Sequence, residues 1–217
     1  MIVVVGGIKG GSGKTTLATN LAVMRSSDGH KVLLVDADEQ KSASDWSEQR
    51  EGLGIKTDWT TIQLAGKAVN LQLQKMGADY DDVIIDVGGR DTTSQRSALT
   101  IADIFLVPFK PRSLDIWTIG AVKAMISEIK IVNPQLQCIT VINQADSRGS
   151  DNTEALEVLK ECPELICCEH SIGYRKVFGN ATADGKGICE LLPLDNKAVH
   201  EMKLLYFCVY NPWLLSK

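Results

Sequence analysis

The sequence predicts an α/β fold: one doubly wound, mostly parallel sheet with helices on both faces, spanning residues 1–217 as a single domain. Three observations predict it. Short β-branched runs alternate with helix-like segments along the whole chain. The runs are apolar at nearly every position, as in strands covered on both faces. Their order, strand then helix then strand, calls for right-handed crossovers and an open sheet.

Ile2–Val5 is the first strand, and a glycine-rich turn leads into a helix over Lys14–Ser26. That helix sets Leu17, Leu21 and Met24 on one face and stops at Gly29. Val32–Val35 is the next strand, followed by a short helix over Ser44–Gln49. Thr61–Leu64 is a weaker strand, and Ala68–Met76 is helical. After the strand Val83–Ile85, a helix over Thr93–Ile101 follows Asp91, a candidate cap. Ile104–Val107 precedes a long helix over Leu114–Ile131 that stops before Pro134. Cys138–Ile142 is the last strong strand. Asn152–Glu161 turns Leu156 and Leu159 inward, and Lys197–Val209 closes the fold. Ligands of such sheets bind beyond the carboxyl ends of the strands. Chemistry is therefore expected just after Val5, Val35, Ile85, Val107 and Ile142.

Hydrophobic residues make up 44% of the 217 and charged residues 23%. That excludes disorder, collagen and coiled coil for the whole chain. Twenty-three basic against 27 acidic side chains give a net charge of −4, unlike a uniformly basic nucleic-acid binder. The charge is unevenly spread. Residues 171–217 carry six basic and four acidic groups (+2), leaving 17 and 23 (−6) for residues 1–170. The six cysteines form no C-x-x-C pair and several have apolar neighbours, so reduced structural thiols are expected. No signal segment is evident after Met1, and no run approaches the ~18 apolar residues of a membrane span.

The first strand runs into Gly6-Gly7-Ile8-Lys9-Gly10-Gly11-Ser12-Gly13-Lys14-Thr15-Thr16 and then a helix. Small residues let backbone N–H groups turn around an anion, and the helix N-terminus adds positive charge. Gly10, Gly11, Ser12, Gly13, Lys14, Thr15 and Thr16 are the candidate nucleotide-binding residues. Lys14 would reach the β/γ-phosphates and the Thr15 hydroxyl a Mg²⁺ ion. The strict phosphate-loop pattern places Gly where this chain has Ile8. Six specified positions at roughly 5–7% each give ~10⁻⁷ per start site by chance.

Lys9, five positions before Lys14, carries the more specific signal. The segment from Lys9 to Thr15 resembles the K-G-G-x-G-K-[ST] mark of the ParA/MinD family of deviant Walker ATPases, and most closely the small plasmid-type ParA partitioning proteins. The resemblance implies ATP and Mg²⁺ as cofactors and an ATP-sandwich homodimer. In it Lys9, as a catalytic residue, crosses to the partner's nucleotide. A cation supplied in trans would stabilise charge on the transferring phosphoryl group.

Two carboxylates follow the strand Val32–Val35, at Asp36 and Asp38, and point to one side. The resemblance assigns Asp36 to the magnesium water shell and Asp38 to the attacking water. Glu39 stands where relatives often have Pro. Asp86, after Val83–Ile85, reads as the Walker B acid that holds Mg²⁺ through water. Gly88 and Gly89 would allow close approach to the γ-phosphate, while Arg90 and Asp91 fit a local ion pair or a functional couple equally well. By resemblance Asn143 binds the base. Its N-x-x-D spacing with Asp146 also occurs in GTPases, and ATP is favoured by the lysine-rich loop. Val107–Asp115 resembles a proline-containing segment near the base and dimer interface, or is a rigid loop with Ser113 capping a helix.

The C-terminal fifth, including Ile172–Phe178 and Asp184–Ile188, also resembles small ParA proteins. The resemblance implies non-specific DNA binding, with Arg175, Lys176, Lys186 and Lys203 as candidates. The phosphate loop begins within ten residues of Met1, so no operator-binding segment is expected before it. The function implied is ATP-switched DNA binding that drives plasmid or chromosome partitioning. The implied partner is a small centromere-binding ParB-like or ribbon-helix-helix protein, with a cytoplasmic, nucleoid-associated location. A MinD-like membrane-cycling ATPase is the alternative. The tail 204–217 is apolar but holds Pro212 and only Lys217 at its end, unlike a basic amphipathic membrane helix. A nitrogenase-reductase-like electron carrier is disfavoured because no cysteine lies between Asp86 and Cys138.

Overall fold

The computed structural model describes residues 1–111, 118–148 and 150–211. Its strands are β1 (Ile2–Val5), β2 (Val32–Ala37), β3 (Thr60–Gln63), β4 (Asp82–Val87), β5 (Ile104–Phe109), β6 (Gln137–Ala145), β7 (Ile166–Cys167) and β8 (Ile172–Gly173). They form one sheet in the order β3-β2-β4-β1-β5-β6-β7, with β8 pairing β6 as well, and every pairing is parallel. The helices are α1 (Lys14–Ser27), α2 (Ser42–Gly52), α3 (Ala68–Met76), α4 (Thr93–Leu99), α5 (Ile119–Ile129), α6 (Asp151–Lys160), α7 (Lys176–Ala183) and α8 (Asn196–Tyr210).

The unbroken apolar runs have a structural cause. Alternate residues of one strand feed two separate cores. Val3, Val5, Leu34 and Ile84 face a core closed by α1 and α8 residues such as Leu21 and Met202. Val4, Leu33, Val35 and Ile85 face the opposite core, with Leu73, Leu99 and Met125. Both faces are thus dry, which explains why the central strands are apolar at almost every position until their ends, buried Thr140 in β6 being an exception.

That end is where the register matters. Val5 lies beside Asp86 on the neighbouring strand, and Asp36 lies beside Asp86 on the other side. The last residue of β1 and two acids therefore sit in one row, at the level where the glycine-rich turn begins.

Several expectations need correction. Thr92, not Asp91, caps α4: its hydroxyl accepts from the Gln95 amide at 3.2 Å. Ala155 and Leu159 form the buried stripe of α6, and Leu156 is only half-buried. Two-residue β7 and β8 and the helix α7 have too little periodic signal to be read from sequence. The start of the helix expected at Leu114 lies outside the described residues. Not all cysteines are free thiols. Packing of α8 across the sheet brings Cys208 to Cys168 with a Cα–Cα separation of 6.4 Å, and the two form a disulfide. Cys138, Cys162, Cys167 and Cys189 remain thiols.

Alkylation without prior reduction, followed by peptide mass spectrometry, is expected to recover Cys168 and Cys208 as one linked pair, while buried Cys138 is modified only once the chain is unfolded in denaturant. Alkylated Cys168 and Cys208 in the folded, unreduced protein would contradict the pairing.

Candidate functional site

The segment between β1 and α1 wraps a cleft of about 580 Å³. Its shape is set from outside. Gly11 (φ +75°) and Gly13 (φ +86°) adopt left-handed backbone, which L side chains rarely tolerate. A Cβ on Gly13 would also lie 2.3 Å from the Asn143 amide nitrogen. Three loop carbonyls are each held by a side-chain donor. Lys14 Nζ donates to the Lys9 carbonyl at 3.0 Å, Gln144 Nε2 to that of Gly11 at 3.1 Å, and Asn143 Nδ2 to that of Ser12 at 2.7 Å. With these carbonyls occupied, the loop's amides are left as its free polar groups, and Gly10, Gly11, Gly13 and Lys14–Thr16 line the cleft wall. The Gly7 amide donates to Gln95 Oε1 at 3.0 Å, which ties the loop entrance to α4.

Lys14 is buried, and burial lowers its pKa. Asp86 and Asp38 counter that shift, while Lys110 adds to it. The Lys110 ammonium lies 3.6 Å from where a Cβ on Gly11 would stand.

Asp86 is fully buried, and neither carboxylate oxygen has a hydrogen-bond partner. Burial is the first cause raising its pKa to about 7, and neighbouring Asp36 and Asp38 raise it too. The Thr15 hydroxyl and the Lys14 ammonium act in the opposite direction. An orphaned carboxylate beside a hydroxyl at the phosphate end of a cleft fits a hard divalent cation such as Mg²⁺. No group of three or more His, Cys, Asp or Glu side chains among the described residues could cage a metal alone. That suits an ion that takes most of its ligands from phosphates and water.

Asp36 has a holding role. Its Oδ2 accepts from the Ser44 amide at 2.8 Å and its Oδ1 from the Asp38 amide at 3.2 Å. It thereby fixes the turn after β2 and the start of α2. Asp38 Oδ1 accepts from the Gln40 amide at 3.1 Å, and the side chain faces Gly88 across the cleft. A Cβ on Gly89 would stand 2.5 Å from the Gly10 nitrogen, so this glycine lets the turn after β4 close on the phosphate loop. Lys9 is exposed on the rim of the loop.

Lys14, Thr15 and Asp38 thus line one cleft, and Asp86, buried close enough to feel Thr15, Lys14, Asp36 and Asp38, lies just behind it. Asn143, expected at the base, is buried with its amide on the loop carbonyl. Of the four candidate DNA contacts, Lys176 and Lys203 are exposed and Lys186 is half-buried. Arg175 pairs with Glu201 through Nη2–Oε1 at 2.5 Å and Nε–Oε2 at 3.1 Å. Gln95, Gln144 and Lys110 are absent from the sequence-level expectation. They are remote in sequence from the loop they support, and no spacing rule flags them. Arg112–Asp115 of the proline-containing segment lie outside the described residues.

Residues 3–188 match the family described as the CobQ/CobB/MinD/ParA nucleotide binding domain. The chain is 28% identical over 202 residues to maintenance of carboxysome distribution protein A of Halothiobacillus neapolitanus, covering 91% of each. It is 31% identical over 121 residues to protein ParA of Rhizobium radiobacter, or 55% of this chain and 53% of that one. A putative plasmid partition protein from Borrelia burgdorferi B31 bound to AMPPNP superimposes with a TM-score of 0.77 at 19% identity, covering 97% and 98% of the chains.

A raised carboxylate pKa makes Asp86 a pH-dependent liability. Its contribution to stability is intact below its unfolded value of 3.8 and is lost as pH rises through about 7. Asp86→Asn is therefore expected to raise the unfolding free energy of the metal-free protein at pH 8 by on the order of 1–4 kcal/mol, seen as a higher melting temperature, with little gain at pH 5. Differential scanning calorimetry at both pH values checks this. An equal loss of stability at both would contradict it.

Proposed function

The chain belongs to the CobQ/CobB/MinD/ParA nucleotide-binding family, and from that premise we propose that it is a ParA-type ATPase that partitions or positions a cellular cargo. The loop amides and Lys14 hold the β- and γ-phosphates of ATP. The Thr15 hydroxyl and, through water, Asp86 and Asp36 would hold Mg²⁺. The ion supplies positive charge to the phosphate oxygens when bound. Asp38, half-buried and facing Gly88, orients the attacking water. The observation that carries the reading is the division between two lysines. Lys14 is buried beneath the loop, whereas Lys9 is exposed on its rim, where a second protomer has access to it.

Hydrolysis then acts as a switch. The ATP-bound homodimer binds DNA non-specifically through Lys176, Lys203 and Lys186, and a ParB-like partner stimulates turnover and release. Arg175 contributes less, because Glu201 neutralises it. Two protomers present the mildly basic C-terminal region twice. The relative named for carboxysome distribution matches over 91% of both chains, which supports a reading in which the cargo is a plasmid, a chromosome or a protein body. Among the described residues no helix is long and apolar enough to cross a membrane.

Retention on a DNA column is expected with ATP and Mg²⁺ and not without nucleotide, and Lys14→Ala is expected to abolish it. Lys9→Ala should impair sandwich dimerisation and hydrolysis. Asp38→Ala should keep ATP binding and dimerisation while slowing turnover about 10²-fold or more. Equal retention of the wild type with and without ATP would contradict the switch.

A further inference from the structure

Arg90 stands at the mouth of the phosphate cleft and lines it together with Lys14, Asp38 and Gly88. Its sequence neighbour Asp91 is the natural partner for an arginine on a tight turn. That partner is taken. Arg96 clamps Asp91 in a bidentate pair, Nε–Oδ1 and Nη2–Oδ2 both at 2.7 Å. Arg96 itself is fixed from the far side by Glu128, at 2.6 Å. No carboxylate among the described residues lies within ion-pair distance of Arg90. Asp38 and Glu39 line the same cleft, and Asp38 gives an oxygen to the Gln40 amide.

The backbone that carries Arg90 is held against the loop. Gly89 packs so closely on Gly10 that a Cβ there would stand 2.5 Å from the Gly10 nitrogen. The chain therefore leaves the loop's rim at residue 90, which lines the cleft together with Thr15. A guanidinium with no acid partner, anchored at the rim of an anion cradle, has the planar fork that matches a terminal phosphate in bidentate fashion.

We propose that Arg90 is a γ-phosphate ligand supplied in cis, and that it sets the preference of the site for a nucleoside triphosphate over a diphosphate. The Arg96–Asp91 clamp is its positioning device, because it withholds the one carboxylate that would otherwise draw Arg90 away. The proposal rests on the nucleotide-binding reading above.

The test is calorimetric titration with Mg²⁺–AMPPNP and with Mg²⁺–ADP, without any turnover measurement. Arg90→Gln is expected to weaken AMPPNP about tenfold or more while leaving ADP within about twofold. Arg90→Lys is expected to recover part of the loss, since an ammonium makes a single point contact. Arg96→Ala should free Asp91 to capture Arg90 and lower the same AMPPNP-to-ADP ratio, and adding Asp91→Ala should restore it. An unchanged ratio in Arg90→Gln, whether both affinities hold or both fall together, overturns the proposal. A wild type that binds neither nucleotide would instead overturn the nucleotide-binding reading, so the two failures are distinguishable.

Discussion

The site depends on one constraint: a glycine-rich loop can turn its amides inward only if its carbonyls are satisfied elsewhere. Here the carbonyls of Lys9, Gly11 and Ser12 are met by Lys14, Gln144 and Asn143. Two of those donors come from the end of β6, which is separated from β1 by β5. The sheet order is therefore part of the site. It brings a strand end some 130 residues away in sequence underneath the loop, where it fixes left-handed backbone at Gly11 and Gly13.

The same row of strand ends explains the charge. The acids that make the body of the chain negative include Asp36 and Asp86, which are buried where β2 and β4 end side by side. Asp36 is satisfied by backbone amides and shapes the turn. Asp86 is not satisfied and sits beside Thr15 and Lys14, with its pKa raised by burial. A fold that buries an unpartnered carboxylate accepts a loss of stability, and a bound cation removes it. Asp36 thus holds the turn in addition to its proposed place beside the cation's water shell, whereas Asp86 is left for the ligand alone.

Much of this was legible in the sequence. Strands covered on both faces are apolar throughout, so β1, β2, β4, β5 and β6 stood out, and the loop from Lys9 to Thr15 is contiguous. Gly88 and Gly89 were expected to permit a close approach. The structure shows Gly89 against the loop backbone and Gly88 against Asp38. The remainder was not legible because it is tertiary. Gln95 and Gln144 act on a loop far from them in sequence. The base-binding role of Asn143 came from the resemblance, and its hydrogen bond to the Ser12 carbonyl, 131 positions back in the chain, is a further tertiary contact that the sequence does not reveal. Arg90 and Asp91 are adjacent, yet the acid goes to Arg96, a residue on the first turns of α4. The Cys168–Cys208 pair joins a residue after β7 to α8, and no spacing rule finds it.

The most direct measurement is the affinity of inorganic tripolyphosphate, with Mg²⁺, for the wild type and for an Asn143→Ala/Gln144→Ala variant. Tripolyphosphate has no base, so it reports the phosphate cradle alone. If the outward hydrogen bonds hold the loop open to phosphate, losing two of them should weaken tripolyphosphate roughly 10–100-fold, and ATP by a similar factor. Tripolyphosphate binding within about twofold of wild type, with ATP alone weakened, would contradict the account and return Asn143 to the base.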